Sequence, residues 1–216
     1  METTTPGARP ARQARSRRTA QAIADAARSL LAERSFHELS VADLARAAGT
    51  SVGGFYARYR DKHAVLETIH ANVLDETLAA FETALADVDA RNGTARDVIH
   101  ACIETMVRQF VIHRREIMQI RRHAGASQSG EYRKRVAAFN DRVHSRVREL
   151  LHARIAEMRH PDPAFAIDFG MFAASAAARE AVLSGAHTVY PIELDEARLV
   201  AELVAQWAAY LRIPST

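Results

Sequence analysis

From Ser16 to Leu211, apolar positions recur at three- and four-residue intervals in successive runs broken by glycine, proline or serine. That is the period of amphipathic helices, and no run alternates with the two-residue period of a half-buried strand. The pattern predicts an all-α chain of about nine helices. The first spans Ser16–Arg34 with Ile23, Ala27, Leu30 and Leu31 inward, and Phe36 then plugs a three-helix head. Residues 1–15 are rich in Thr, Pro, Gly and Arg, cannot build a core, and are expected to be a disordered basic arm.

The stretch SVADLARAAGTSVGGFYARYRDK, residues 40–62, carries the most information. Ser40 is a good N-cap, and Val41, Leu44, Ala45 and Ala48 form one apolar stripe on a short helix. Gly49 stops that helix, because glycine takes the left-handed turn conformation without a Cβ penalty. Ser51 can cap a second helix whose inward pair is Phe55 and Tyr59. Two short helices joined by a tight glycine turn form a helix-turn-helix, a motif whose second helix docks in a DNA major groove. The outward face then holds Val52, Gly53, Gly54 and Ala57, flanked by Tyr56 and Arg58. Two helical glycines cost about 1 kcal/mol each against alanine, which makes sense where the backbone must approach another molecule closely.

The string AGTSVGGFYARYRDKHAVLE resembles the signature of the TetR family of bacterial transcriptional regulators, and residues 16–70 match it in order and spacing. The chain departs from the pattern at Thr50, where an apolar residue is commoner, and at Arg58, where His or Tyr is usual. The resemblance implies an N-terminal helix-turn-helix head over residues 16–61 and a C-terminal helical effector-binding and dimerisation domain over 62–216. It further implies a dimeric repressor of a palindromic operator, released by a small molecule. The DNA-contacting set is then Arg17, Arg18, Ser40, Val41, Ser51, Val52, Gly53, Gly54, Tyr56, Ala57, Arg58 and Lys62, with Lys62 opening the fourth helix toward a phosphate.

That fourth helix is expected over residues 62–90 without a glycine or proline, roughly 40 Å long at 1.5 Å per residue. Asp61 can cap it. Thr94 with Asp97 predicts a capping box for a fifth helix, followed by helices near 115–123, 131–158, 164–184 and 193–211, with a loop at 125–130. The soft residues Cys102, Met106, Phe110, Ile117, Met118, Phe139, Val143, Phe169 and Phe172 are nominated as a ligand pocket, although core packing explains them as well. The eighth helix is small on every side and the ninth has a broad apolar stripe. With the resemblance, that nominates Ala173, Ala174, Ala177, Leu199, Leu203 and Trp207 as a dimer interface.

Charge and composition sharpen the picture. Residues 1–70 hold eleven Arg and Lys against seven Asp and Glu, so the excess positive charge lies with the helix-turn-helix. Arg9, Arg12, Arg15, Arg17 and Arg18 precede it, as suits contact with phosphates or a minor groove. Cys102 is the one cysteine, so no internal disulfide forms, and a reducing cytoplasm is expected. The longest apolar run, residues 171–178, is too short to span a bilayer. No metal or cofactor motif, Walker loop or nucleophile elbow is present among the residues, so no catalytic role is expected. The alternatives are a TetR-like activator or effector-independent regulator and, in a different class, a helical interaction scaffold. The basic arm, Lys62 and the bare Gly53/Gly54/Ala57 face argue against the scaffold.

Overall fold

The computed structural model describes residues 8–123, 130–185 and 194–214. Over these residues it contains nine α-helices and no strand. They are α1 (Ala8–Glu33), α2 (Val41–Ala47), α3 (Val52–Tyr56), α4 (Lys62–Ala90), α5 (Ala95–Ile112), α6 (Arg114–His123), α7 (Gly130–His152), α8 (Pro163–Arg179) and α9 (Glu196–Tyr210). Two compact units divide the chain, Met1–Asn72 with Met118–Ser129 and Val73–Ile117 with Gly130–Thr216. The division at Asn72 lies inside α4, eleven residues beyond the boundary expected from the sequence.

Three expectations change. Residues 8–15, expected to be disordered, are helical and belong to α1. The segment ARPARQAR is dense in strong helix formers, and Pro10 falls in the first turn, where its missing N–H is not needed. Residues 1–7 lie outside the described residues, as do most of the 125–130 loop and residues 186–193. The long seventh helix ends early, at His152, and Ile155 sits exposed on a following 3-10 turn instead of packing inward. No glycine or proline marks that end. Arg154 marks it, donating to the carbonyl of Leu150 and to that of Gly93. The eighth helix likewise stops at Arg179 and gives way to a π-turn over Glu180–Gly185.

The first unit is built around Phe36, Leu39, Leu44, Phe55 and Ile69, each at most 2% exposed, with Ile23 and Leu31 from α1. Its caps are those the sequence implies. Ser40 accepts from the Asp43 amide while Asp43 accepts from the Ser40 amide, closing a capping box, and Asp61 Oδ1 accepts from Ala64 N. Gly49 has φ +64°, so the turn between α2 and α3 uses the left-handed conformation that glycine permits. The Tyr59 hydroxyl donates to the carbonyl of Ala20 at 3.0 Å, pinning the end of the motif to α1.

In the second unit α5 is central and packs on α7, α8 and α9. The Thr94/Asp97 capping box starts it, and Val98, Ile99, Cys102, Ile103 and Met106 fill the core beneath. Acidic residues at heptad spacing on α4 meet arginines of α7: Asp75 with Arg135 at 2.8 Å, Glu82 with Arg142 at 2.6 Å, and Asp89 with Arg146 at 3.1 Å. These pairs are exposed, so each contributes about 0–1 kcal/mol and fixes register more than stability.

Candidate nucleic-acid interface

The head presents α3 outward. Ser51 caps it by accepting from Gly54 N at 2.9 Å, and Phe55, fully buried, anchors it from below. On the opposite side Ser51, Val52, Gly53, Tyr56 and Ala57 are exposed, with Val52 and Tyr56 at 44% and 56%. The two glycines differ. A Cβ at Gly53 would meet nothing closer than Ser51 Oγ at 3.8 Å, so no internal contact requires glycine there. A Cβ at Gly54 would overlap Thr50 Oγ1. Gly54 is therefore bare because of its own turn, whereas Gly53 is bare toward the outside. Arg17 and Arg18 of α1 are also exposed.

Three nominated contacts are engaged within the chain. Lys62 does not offer its ammonium outward: Nζ donates to the carbonyls of Phe36, His37 and Leu39 at 3.1, 3.3 and 3.0 Å and lies 4.7 Å from the Phe36 ring centroid. Those three acceptors account for its three protons, so Lys62 ties the Phe36–Leu39 turn to the start of α4. Phosphate is not its partner in this geometry. Ser40 uses its hydroxyl twice, accepting from Asp43 N and donating to Asp43 Oδ2 at 2.6 Å, which leaves that hydroxyl no proton for DNA. Arg58 folds back so that Nη1 donates to the carbonyl of Gly54 at 3.0 Å, while its Nε is buried without a partner. To read a base it would first have to swing out.

Electrostatics follow the caps. Hydrogen bonds from the Ser40 side chain and then its amide hold Asp43 below the usual carboxylate range, and the Thr94 amide and hydroxyl do the same for Asp97. Burial lowers the His70 pKa to about 4, so this α4 side chain is neutral near pH 7.

The nominated pocket residues are not all alike. Cys102 and Met106 are core, with Cys102 Sγ 3.5 Å from Met171 Sδ, and burial pushes the Cys102 thiol up to about 12. Phe110 and Phe139 pack half-buried against that core, and Ile117 and Met118 are half-buried. Val143 is buried at the floor of an open trough of about 600 Å³ between α4 and α7, with Leu78, Phe81 and Leu85. Phe169 and Phe172 are corrected outright: they are 45% and 65% exposed on α8 and line no interior. With Phe165 they make a row at i, i+4 and i+7, Phe165 stacked on Phe169 and Phe169 5.6 Å from Tyr210. That spacing is visible in the sequence but reads equally as core.

The nominated dimer residues fall into two groups. Trp207, Ala174, Leu203 and Leu199 are 2–7% exposed within one chain, so they pack internally. Ala173 is half-buried and Ala177 exposed. Among the described residues no group of three His, Cys, Asp or Glu could hold a metal ion, and no helix is long and apolar enough to cross a membrane.

Residues 23–69 match the family described as bacterial regulatory proteins, tetR family. No curated protein matches the chain. Among solved structures the chain is similar to a tetR-family regulatory protein from Rhodococcus RHA1 (TM-score 0.67, 17% identity, 91% of this chain and 98% of that one). It is also similar to the TetR-family regulator PfmR from Thermus thermophilus (0.61, 21%, 90% and 99%). A third is the regulator FadR from Bacillus subtilis, solved in complex with stearoyl-CoA (0.63, 15%, 88% and 98%). At such identities these likenesses speak for the fold. Residues 23–69 thus match that family's model, and the chain shares the all-helical fold of these solved structures.

Proposed function

We propose that the protein is a dimeric transcriptional repressor that grips a palindromic operator with α3 and lets go when its second unit binds a small apolar or amphipathic molecule. The observation that carries the DNA-binding part is the outer face of α3. Its exposed Val52, Gly53, Tyr56 and Ala57 offer shape and apolar contact, and Gly53 is bare with no internal reason to be. Specificity in this reading rests on the Ser51 hydroxyl, thymine-methyl contacts and DNA shape, with Arg17 and Arg18 on phosphates. The ligand-binding part is supported by the α4–α7 trough, whose apolar floor is largely formed by α4, the helix that follows the helix-turn-helix. A fatty acyl ligand on a structurally similar regulator is consistent with that class.

The test is a genomic footprint of the purified protein, followed by titration of the recovered duplex at several salt concentrations. Binding should weaken with salt at a log–log slope near −0.9 per phosphate neutralised. An absence of any protected fragment would refute the reading. Ligand release is tested by paired titrations with and without operator, since coupling is reciprocal.

A further inference from the structure

On the second unit a surface hollow of about 770 Å³ is lined by Arg96, Arg159 and Arg212, with Ala209, Ile213 and Pro214 as an apolar shelf. Among the described residues no carboxylate lines it. None of the three guanidinium groups makes an ion pair or side-chain hydrogen bond among the described residues, whereas Arg135, Arg142, Arg146 and Arg148 on α7 each meet a carboxylate. The three are brought together by backbone structure. Arg159 N donates to the carbonyl of Leu211 at 3.2 Å, fastening the segment after α7 to the end of α9. Arg212 has φ +54°, a conformation glycine adopts more cheaply, and it is locked there as Arg212 N and Ile213 N close the end of α9 on Ala209 and Ala208.

A cation at the end of α9 complements that helix's dipole, which accounts for Arg212 alone. It does not account for Arg96, which sits in the first turn of α5, where the dipole disfavours positive charge. Three unneutralised guanidinium groups around one hollow also repel each other. An anion seated in the hollow would meet all three guanidinium groups at once.

We propose that this hollow is a binding site for a phosphate-bearing small molecule, its phosphoryl groups held by Arg96, Arg159 and Arg212 and its less polar part resting on the Ala209, Ile213 and Pro214 shelf. Guanidinium groups match phosphate oxygens in bidentate geometry, which singles out phosphoryl over a lone halide. The volume lies within the range of small-molecule sites. The site stands apart from the DNA-binding reading and does not need it.

The experiment is calorimetric titration of the full chain with pyrophosphate and with ATP, at fixed ionic strength and without operator. Saturable one-to-one binding is expected, tighter for ATP because its base can use the shelf. Arg96→Gln and Arg159→Gln should each weaken it by about tenfold, the scale of one lost charged hydrogen bond. Arg212→Gly, which keeps the left-handed turn, should do the same without lowering Tm. Arg108→Gln removes an exposed arginine of α5 that makes no ion pair among the described residues, and it should change nothing. Absence of saturable binding overturns the proposal. So does equal loss from all four substitutions, which would mark general charge attraction. Equal affinity for pyrophosphate and ATP would overturn the role of the shelf.

Discussion

Trp207 lies directly on the backbone of Gly170: a Cβ added at that glycine would overlap the indole ring. The contact is how α8 and α9 approach closely enough to pack, and it leaves the indole N–H buried without an acceptor. Gly170→Ala should therefore destabilise by about 1–3 kcal/mol through overpacking, despite alanine's better helix propensity. In a Trp207→Leu background the same substitution should cost much less, because the two sites are in contact and their effects do not add. Thermal or denaturant unfolding of the four proteins of that cycle checks it. Additive losses would show that the indole yields without strain.

Lys62→Ala is expected to lower stability and to leave intrinsic DNA affinity largely intact. Removing the ammonium strips the carbonyls of Phe36, His37 and Leu39 of a common donor, a loss of about 1–3 kcal/mol for partly buried acceptors. Unfolding midpoints should fall, while operator affinity measured in the cold, corrected for folded fraction, should stay nearly constant. A Tm equal to wild type with weakened DNA binding would restore Lys62 to the phosphate.

Gly53→Ala and Gly54→Ala separate the two reasons for a bare helix. At Gly53 the added methyl enters open space, so folding stability should rise by up to about 1 kcal/mol from helix propensity. Operator affinity should fall by roughly tenfold or more, about 1.4 kcal/mol, if the backbone approaches DNA there. At Gly54 the methyl meets Thr50 Oγ1, so stability should drop instead. Melting curves and gel shifts on both variants decide the matter. Unchanged affinity in Gly53→Ala would place the DNA elsewhere.

How much of this is legible in the sequence depends on whether the signal is local. The caps at Ser40, Ser51, Asp61 and Thr94 and the turn at Gly49 involve residues three or four apart, and all form as expected. The boundaries of α4 are readable because nothing in residues 62–90 competes with the helix. The role of Lys62 is not readable, because its acceptors lie 23–26 residues away, in a turn whose path the pattern does not give. Trp207 and Phe172 exchange places for a similar reason. Both sit on apolar helical faces, and only packing decides that the indole goes in, against Gly170, while the phenyl ring stays out. The end of α7 is invisible because a guanidinium makes it, not a breaker residue.

Stability should fall between pH 6.5 and about 4 because of His70. Burial depresses its folded pKa to about 4 from the usual 6.5, so within that window the unfolded chain binds a proton that the folded chain does not. The contribution is full above pH 6.5 and diminishes as pH falls, by on the order of 3 kcal/mol at most. Asp43 and Asp97 act lower: their folded values are depressed, so their contributions persist until the pH drops through the carboxylate range. Denaturant midpoints measured from about pH 7.5 to about pH 5 should slope for the wild type and flatten in His70→Gln. Parallel slopes would assign the dependence to another group.

The exposed row Phe165, Phe169 and Phe172 bears on assembly. Three neighbouring phenyl rings, each 45–65% exposed and joined by Tyr210, form an apolar patch larger than isolated surface hydrophobes account for. If the chain dimerises through α8 and α9, this row and the exposed alanines beside it are the part of those helices left to make the contact, since Leu199, Leu203 and Trp207 are already used inside. Phe169→Glu and Phe172→Glu place charge on the surface of the single chain, so each monomer should keep its fold and its helical circular dichroism. A dimer seated on the row would fall apart, by roughly a hundredfold or more in dissociation constant for a central aromatic lost to charge. Leu203→Glu makes the contrast: it buries a carboxylate within one chain and should unfold the second unit whatever the oligomeric state. Sedimentation velocity over a concentration series, alongside thermal melts, separates the two effects. Folded monomers from the phenylalanine variants would set the interface on this row. Intact dimers would move it off α8 and leave the patch exposed for some other partner.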